Sequence, residues 1–229
     1  MNIKYEIIET DFKINVLGVK VFRIKAKTSF LSVKEGDLGG YVEKEENLSS
    51  SGDAWVCGDA WVFGNAWVCG NAWVCGDACI YGAAHVSGNA RVSGNARVYG
   101  NAWVSDYAQV SGNARVYGEA RVSGSARVSG DACIYGAAHV YGDALVSCSA
   151  RVSGNARVYG NAWVNKSPIT ISNYCKWSIT ATETHLHVGC KVKTKKEWLS
   201  WLDGEEEFGT RRDTREFRLI EKAIRFLCE

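Results

Sequence analysis

The stretch AWVCGDAWVFGNAWVCGNAWV, residues 54–74, decides the fold. It reads Ala-x-Val-x-Gly-Asn/Asp, with a period of six that fits neither the 3.6 of an α-helix nor a five-residue repeat. The period runs unbroken from Val56 to Val164, giving nineteen hexads; Val fills the aliphatic position except at Ile80 and Ile134. An alanine stands two residues before each, from Ala54 to Ala162. In extended backbone, side chains alternate between faces, so Ala and Val point inward and the two x residues point outward. Gly-Asn or Gly-Asp then turns the chain, because Gly accepts positive φ and Asn and Asp tolerate it. Three strands and three turns close a triangular coil of 18 residues. The hexads predict about six coils, stacked at roughly 4.8 Å into a prism about 30 Å long. Each buried Val contributes on the order of 1.5–3 kcal/mol. Two corners, Asp106-Tyr107 and Cys148-Ser149, depart from the turn pattern and are expected to bend differently without breaking the coil.

Working outward, the chain divides into an N-terminal β cap (1–50), the β-helix (51–165) and a C-terminal α+β module (166–229). The cap holds candidate strands Ile3–Glu9, Lys13–Val16 and Val19–Ala26, and some cap is needed because an open β-helix end exposes unpaired backbone. Trp55, Trp61, Trp67 and Trp73 spread over all three faces of the first coils, an apolar collar too large to leave in water. The N-terminal strands or a partner chain should cover it. After Pro168 the pattern changes to strands around Ile169–Ile171, Trp177–Ala181 and His185–Val188. Thr194-Lys-Lys-Glu197 is a capping box leading into Trp198–Leu202. Asp213-Thr-Arg-Glu216 opens a second helix with Phe217, Ile220, Ile224 and Leu227 on one face.

Charge narrows the partners. The chain carries 27 basic and 25 acidic side chains, balanced in each of the three segments, so non-specific nucleic-acid binding and membrane attachment are not expected. The N-terminus has no apolar core of a secretory signal, and no run approaches the roughly 18 apolar residues of a membrane span. The nine cysteines are scattered and share repeat positions with serine, which points to free thiols in a reducing compartment and a cytoplasmic protein.

The hexad resembles the [LIV]-x-x-x-[small]-x pattern of left-handed parallel β-helix proteins, many of them trimeric acyltransferases. The segment KEGDLGGYVEKEENLSSSGDAWV (Lys34–Val56) resembles the entry segment of a narrower group. These are enterobacterial and phage hexapeptide-repeat proteins labelled acyltransferases without a demonstrated reaction. The resemblance covers about residues 34–165. It implies a left-handed coil and a homotrimer, and its phage members suggest a role in countering host defence. The acyltransferases of this fold place a general-base histidine at a subunit boundary, extrude a loop, and end in a Gly-Ala-Gly-Ser-Val-Val-type run. Here nothing interrupts the hexads, and the final coil GNARVYGNAWVNKSP (154–168) lacks that run. His85 and His139 lie in one column, three coils apart, too far to share a metal as the carbonic anhydrases of this fold do. His185, His187 and Cys190 have a spacing a metal could use, but with no further ligand in sequence an ordinary polar strand face accounts for them better. No cofactor and no catalytic residue is assigned.

The outward columns are more informative. One face carries Phe63, Tyr81, Tyr99, Tyr117 and Tyr135, flanked by Trp61, Cys79, Arg97, Arg115, Cys133 and Arg151. A second is mostly serine (Ser93, Ser111, Ser129, Ser147); the third mixes His85, Trp103, Arg121, His139 and Arg157 with Tyr141 and Tyr159. Rings beside guanidinium groups suit a subunit interface, or a groove for a flat ligand with phosphates. The candidate ligand residues are Tyr81, Arg97, Tyr99, Arg115, Tyr117, Tyr135 and Arg151, with Tyr99, Tyr117, Arg97 and Arg115 at the centre. The functional expectation is a non-catalytic trimeric binding protein for a small anionic, nucleotide-like metabolite or a host protein. An acyltransferase using His85 or His139 is the alternative, and a structural scaffold comes third.

Overall fold

A computed structural model describes residues 3–15, 17–171, 174–207 and 209–228. Each hexad forms one two-residue rung, from β4 (Trp55–Val56) to β22 (Trp163–Val164). Every third rung stacks in parallel at the 18-residue offset, as Arg97 on Arg115 and Val98 on Val116. The result is a parallel β-solenoid with three flat sheets. Every Val and Ile at the sixfold positions is 0 % exposed, and the paired alanines are as deeply buried. The core is therefore the stack of Val and Ala that the repeat implies.

The solenoid has about seven turns, not six, because the coil begins before the repeat does. Strand β3 (Leu38–Val42) pairs in parallel with the Trp61–Val62 rung, placing Val42 beneath Val62. Leu48 bridges Val68 in the same sense. These offsets are 20 residues, against 18 for Val56 on Val74. Two extra residues in Ser49–Asp53 break the period, so the hexad count misses this turn. The irregular backbone is satisfied by side chains: Lys4 Nζ donates to the carbonyls of Gly52 (3.0 Å) and Ala54 (2.5 Å), and Asn47 Nδ2 donates to Ala66 (2.8 Å).

The cap strands differ from expectation in one respect. The two candidate strands before residue 17 are a single strand, β1 (Tyr5–Ile14), with a register shift between Ile8 and Phe12. Val16 lies outside the described residues. β1 pairs antiparallel with β2 (Lys20–Ala26), which pairs antiparallel with β3, so the cap continues one solenoid sheet. It buries part of the tryptophan collar: Trp55 is 2 % exposed with Phe30 edge-on at 5.4 Å, and Tyr41 stands edge-on to Trp61. Trp67 stays exposed.

The two odd corners do not bend differently. Asp106 and Cys148 occupy the glycine position with φ of 59° and 58°, the same left-handed conformation as their glycine neighbours. Stacking imposes it, because the ladder bonds Asn89 N–H to Asp106 O and Asp131 N–H to Cys148 O fix those peptides. A left-handed L-residue costs roughly 1–2 kcal/mol, partly offset in glycine by the entropy of its unfolded chain. Cys148→Gly is therefore expected to stabilise the protein by roughly 0.5–1 kcal/mol in urea unfolding; a loss of stability would contradict this account of the corner.

The cysteine expectation needs a correction. Cys57 and Cys75, 18 residues apart, are joined by a disulfide across adjacent coils, with Cα atoms 4.7 Å apart. The coil repeat itself brings equivalent outward positions within disulfide reach. The other seven cysteines are free.

Beyond the solenoid, β23 (Ile169–Ile171), β24 (Ile179–Ala181), β25 (His185–Val188) and β26 (Lys191–Thr194) form an antiparallel sheet. The strand read from Trp177 starts at Ile179, and β26 was not legible because KVKT has no apolar alternation. Helices α1 (Lys195–Asp203) and α2 (Arg215–Cys228) follow. The Thr194–Glu197 capping box is formed, with Glu197 N–H on Thr194 Oγ1 at 3.2 Å and Thr194 N–H on Glu197 Oε2 at 2.7 Å. In α2 the cap is Thr214 rather than Asp213, its Oγ1 accepting from Phe217 N–H at 3.2 Å. Phe217, Ile220, Ile224 and Leu227 are buried against Trp198 and Trp201 as the helical spacing implies. Among the described residues, no helix is long and apolar enough to cross a membrane.

Candidate ligand-binding face

The sheet that continues the cap carries the tyrosine column. Because each residue stacks on its equivalent one coil away, the rings form a ladder. Phe63, Tyr81, Tyr99, Tyr117 and Tyr135 stand 4.8–5.1 Å apart, centroid to centroid, with planes within 5° of parallel. This geometry corrects one expectation. The rings cover one another's faces, so a ligand on the middle of the face meets ring edges and hydroxyl groups rather than an open stacking platform.

Beside the ladder, Arg97 pairs in register with Arg115, and Cys133 with Arg151. All three arginines are exposed, and among the described residues none has a carboxylate at ion-pair distance. Two adjacent guanidinium groups offer ten N–H donors in planar forks, suited to phosphate or carboxylate. The electrostatics favour neutral phenols: burial first, with neighbouring groups adding, pushes the Tyr81, Tyr99 and Tyr117 hydroxyls above their ordinary range. Burial also pushes the Cys79 thiol up to about 11 against the pull of Arg97, so it is a poor nucleophile.

At the cap end, the face is overhung by the tip of the β1–β2 hairpin. Between them lies a groove of about 760 Å³, lined by Lys13, Ile14, Asn15 and Leu17 from the hairpin. Trp61, Phe63, Cys79, Tyr81 and Arg97 line it from the face, and Asp59, Asp77, Asn95 and Asn113 from the corner. Of the candidate residues, the structure brings Tyr81 and Arg97 into this groove. Tyr99, Arg115, Tyr117, Tyr135 and Arg151 continue the same face outside it. The corner carboxylates and amides were missed because they read as turn formers; sorting them at period 18 would have set them beside the arginine column. The hairpin residues carried no such signal.

Two cations near the groove are already engaged. Lys13 pairs with Asp59 at 2.9 Å, and Arg23 pairs with Asp11 at 3.0 Å and with Asp59 at 3.6 Å. The hydrogen bond to Asp59 raises the Lys13 pKa and holds that of Asp59 below the ordinary carboxylate range.

The histidines lie elsewhere. His85 is sandwiched between Trp67, edge-on at 5.7 Å, and Trp103, stacked at 4.6 Å. Burial, then Arg121 and Arg157, lower the His139 pKa. His187 is 2 % exposed, edge-on to Tyr159 at 4.5 Å, while His185 bonds Thr184 Oγ1 at 2.8 Å. Among the described residues, no three His, Cys, Asp or Glu side chains form a group that could hold a metal ion.

Three stretches of the solenoid, residues 90–106, 108–124 and 150–165, match the family model described as the YdcK beta solenoid repeat. No curated protein matches the chain. With the stacked coils, these matches identify the chain as a protein of the β-helix repeat type, similar over those stretches to the YdcK solenoid.

Proposed function

We propose that this is a non-catalytic binding protein, assembled as a homotrimer, whose Tyr/Arg face takes a small planar anion. The observation that carries the reading is Arg97 stacked on Arg115, exposed, without a carboxylate partner among the described residues, alongside a rigid tyrosine ladder. The coils hold the two Arg backbones in register, so both side chains leave the sheet one coil apart on the same face and can converge on one phosphate, at an ordering cost of about 0.5–1.5 kcal/mol per side chain. The trimer rests on the regular flat faces and on Trp67 and Trp103, which leave exposed apolar area on a different face for a neighbouring copy. The resemblance of the entry segment Lys34–Val56 to phage proteins makes sequestration of a host nucleotide signal, and so an anti-defence role in the cytoplasm, the biological setting of this proposal. Acyl transfer through His85 or His139 gains no support from the site, because Trp67 and Trp103 flank the first and arginines surround the second.

Calorimetric titration with a panel of anionic metabolites, cyclic nucleotides among them, tests the reading on the wild type and on Arg97→Ala/Arg115→Ala. A charge-assisted hydrogen bond is worth about 1.5–3 kcal/mol, so the double variant should lose about 100-fold or more in affinity. Light scattering should show the assembly unchanged. Undiminished binding in the variant, or a dissociated assembly, would end the proposal.

A further inference from the structure

We infer that the groove beneath the β1–β2 hairpin tip is where the ligand sits, and that it accepts one amino-substituted heteroaromatic ring carrying one acidic group. The inference rests on the Tyr/Arg reading above and narrows it in place and in chemistry. The volume, about 760 Å³, lies within the range of small-molecule sites, roughly 300–1,000 Å³. It is the part of the Tyr/Arg face where the hairpin tip adds a second wall, so a ligand there is contacted from two sides although the groove stays open to solvent.

The charges fix the number of acidic groups. Of the cations lining the groove, Lys13 is spent on Asp59 and lies over the Tyr41 ring at 4.4 Å. Arg97 is left, without a carboxylate partner among the described residues, and it supplies one fork for one anionic group. The corner column fixes the opposite edge. Asn95 Nδ2 donates to Asn113 Oδ1 at 3.2 Å, and Asn113 Nδ2 donates to Asp131 Oδ1 at 2.9 Å. In that chain Asn95 is the first donor, so its side-chain oxygen is not used within it, and Asp77 holds the equivalent corner position one coil away. Two acceptors in a row call for N–H donors, which the two N–H bonds of an exocyclic amino group provide.

The apolar contacts set the ring between them. Ile14 and Leu17, 61 % and 72 % exposed, stand on the hairpin side, and Phe63 and Tyr81 present ring edges on the other. The tip that carries them is held in shape by its own bonds: Asn15 Oδ1 accepts from Leu17 N–H and Val19 N–H, each at 2.9 Å. Gly18, at φ 77°, donates its N–H to the Asn15 carbonyl. Leu17 and Ile14 thus become specificity-determining contacts that the solenoid repeat gives no hint of.

The test is calorimetric binding of adenosine monophosphate to the full chain, with adenosine and ribose phosphate as the two halves of the probe. Variants Leu17→Ser and Leu17→Asp alter only an exposed tip side chain; Arg127→Ala, on another face, is the charge-matched control. Adenosine monophosphate should bind at least tenfold more tightly than either half, and both Leu17 variants should weaken it about five- to tenfold, the loss expected when about one apolar side chain's contact disappears. Amide exchange at Leu17 and Val19 should slow when the probe is bound. If the Leu17 variants bind like the wild type while Arg97→Ala/Arg115→Ala does not, the ligand lies on the open face and this inference falls while the broader reading stands. If adenosine binds as well as the monophosphate, the assigned chemistry is wrong. If the double arginine variant also binds unchanged, both readings fall.

Discussion

Val116→Asp is expected to leave no folded solenoid at room temperature. Val116 is fully buried, in register with Val98 below and Ile134 above, both fully buried and apolar. The substitution removes a side chain worth about 1.5–3 kcal/mol of burial and introduces a carboxyl group with no hydrogen-bond partner, at a further cost of several kcal/mol. That exceeds half of a typical domain stability of about 5–15 kcal/mol. In a stack where each coil touches only its neighbours, the lesion also separates the coils on either side of it. Ser129→Asp, at an outward position of the serine column, should melt within a few degrees of the wild type. A cooperative transition for Val116→Asp near the wild-type temperature would contradict the inward assignment of the repeat.

A second large effect is a loss of stability in mild acid, centred on His187. The ring is buried between the C-terminal sheet and Tyr159, and neither nitrogen has a hydrogen-bond partner among the described residues. Burial first, and then His185, bring its pKa from 6.5 down to about 4. The folded value lies below the unfolded one, so the unfolded chain binds the proton first as pH falls. The stability is full above about 6.5 and declines through the window down to about 4. At about 1.4 kcal/mol per pH unit the loss comes to about 3 kcal/mol. Carboxylates held low by their partners, Asp59 and Glu197, lose their contribution only below the ordinary carboxylate range. The upper part of the window therefore belongs to the two histidines with lowered pKa, His187 and also His139, which burial, then Arg121 and Arg157, lower. Urea unfolding of the wild type at a series of pH values should show this slope, and His187→Leu should flatten it. An equal slope in the variant would place the titration elsewhere.

How far the sequence could be read depended on whether a feature repeated. Val56 to Val164 fixed rung, corner and register together, since a period of six with Ala two residues before Val leaves one way to bury both. The same regularity gave the tyrosine and arginine columns, because positions 18 apart must stack. Where the period broke, the reading faltered. The two extra residues in Ser49–Asp53 hid a whole turn, and Lys4, which holds that turn from 45 or more residues away, carried no local mark of its role. Asp106 and Cys148 were expected to differ because their intrinsic preference disfavours positive φ, but the ladder above and below overrides it. Cys57 and Cys75 were read by composition when their spacing of 18 was the decisive feature. The candidate site was half legible: the columns gave Tyr81 and Arg97, whereas the groove depends on a hairpin tip whose placement is a tertiary fact.

The central claim is that an intact trimer holds a small anion on the Tyr/Arg face, and native mass spectrometry of wild-type protein and Arg97→Ala/Arg115→Ala tests it most directly. The account predicts, for both proteins, an assembly of three 25.1 kDa chains, with a small anionic ligand retained by the wild type and absent from the variant. A 25.1 kDa monomer at micromolar concentration, or a trimer whose bound mass is the same with and without the two arginines, would contradict it.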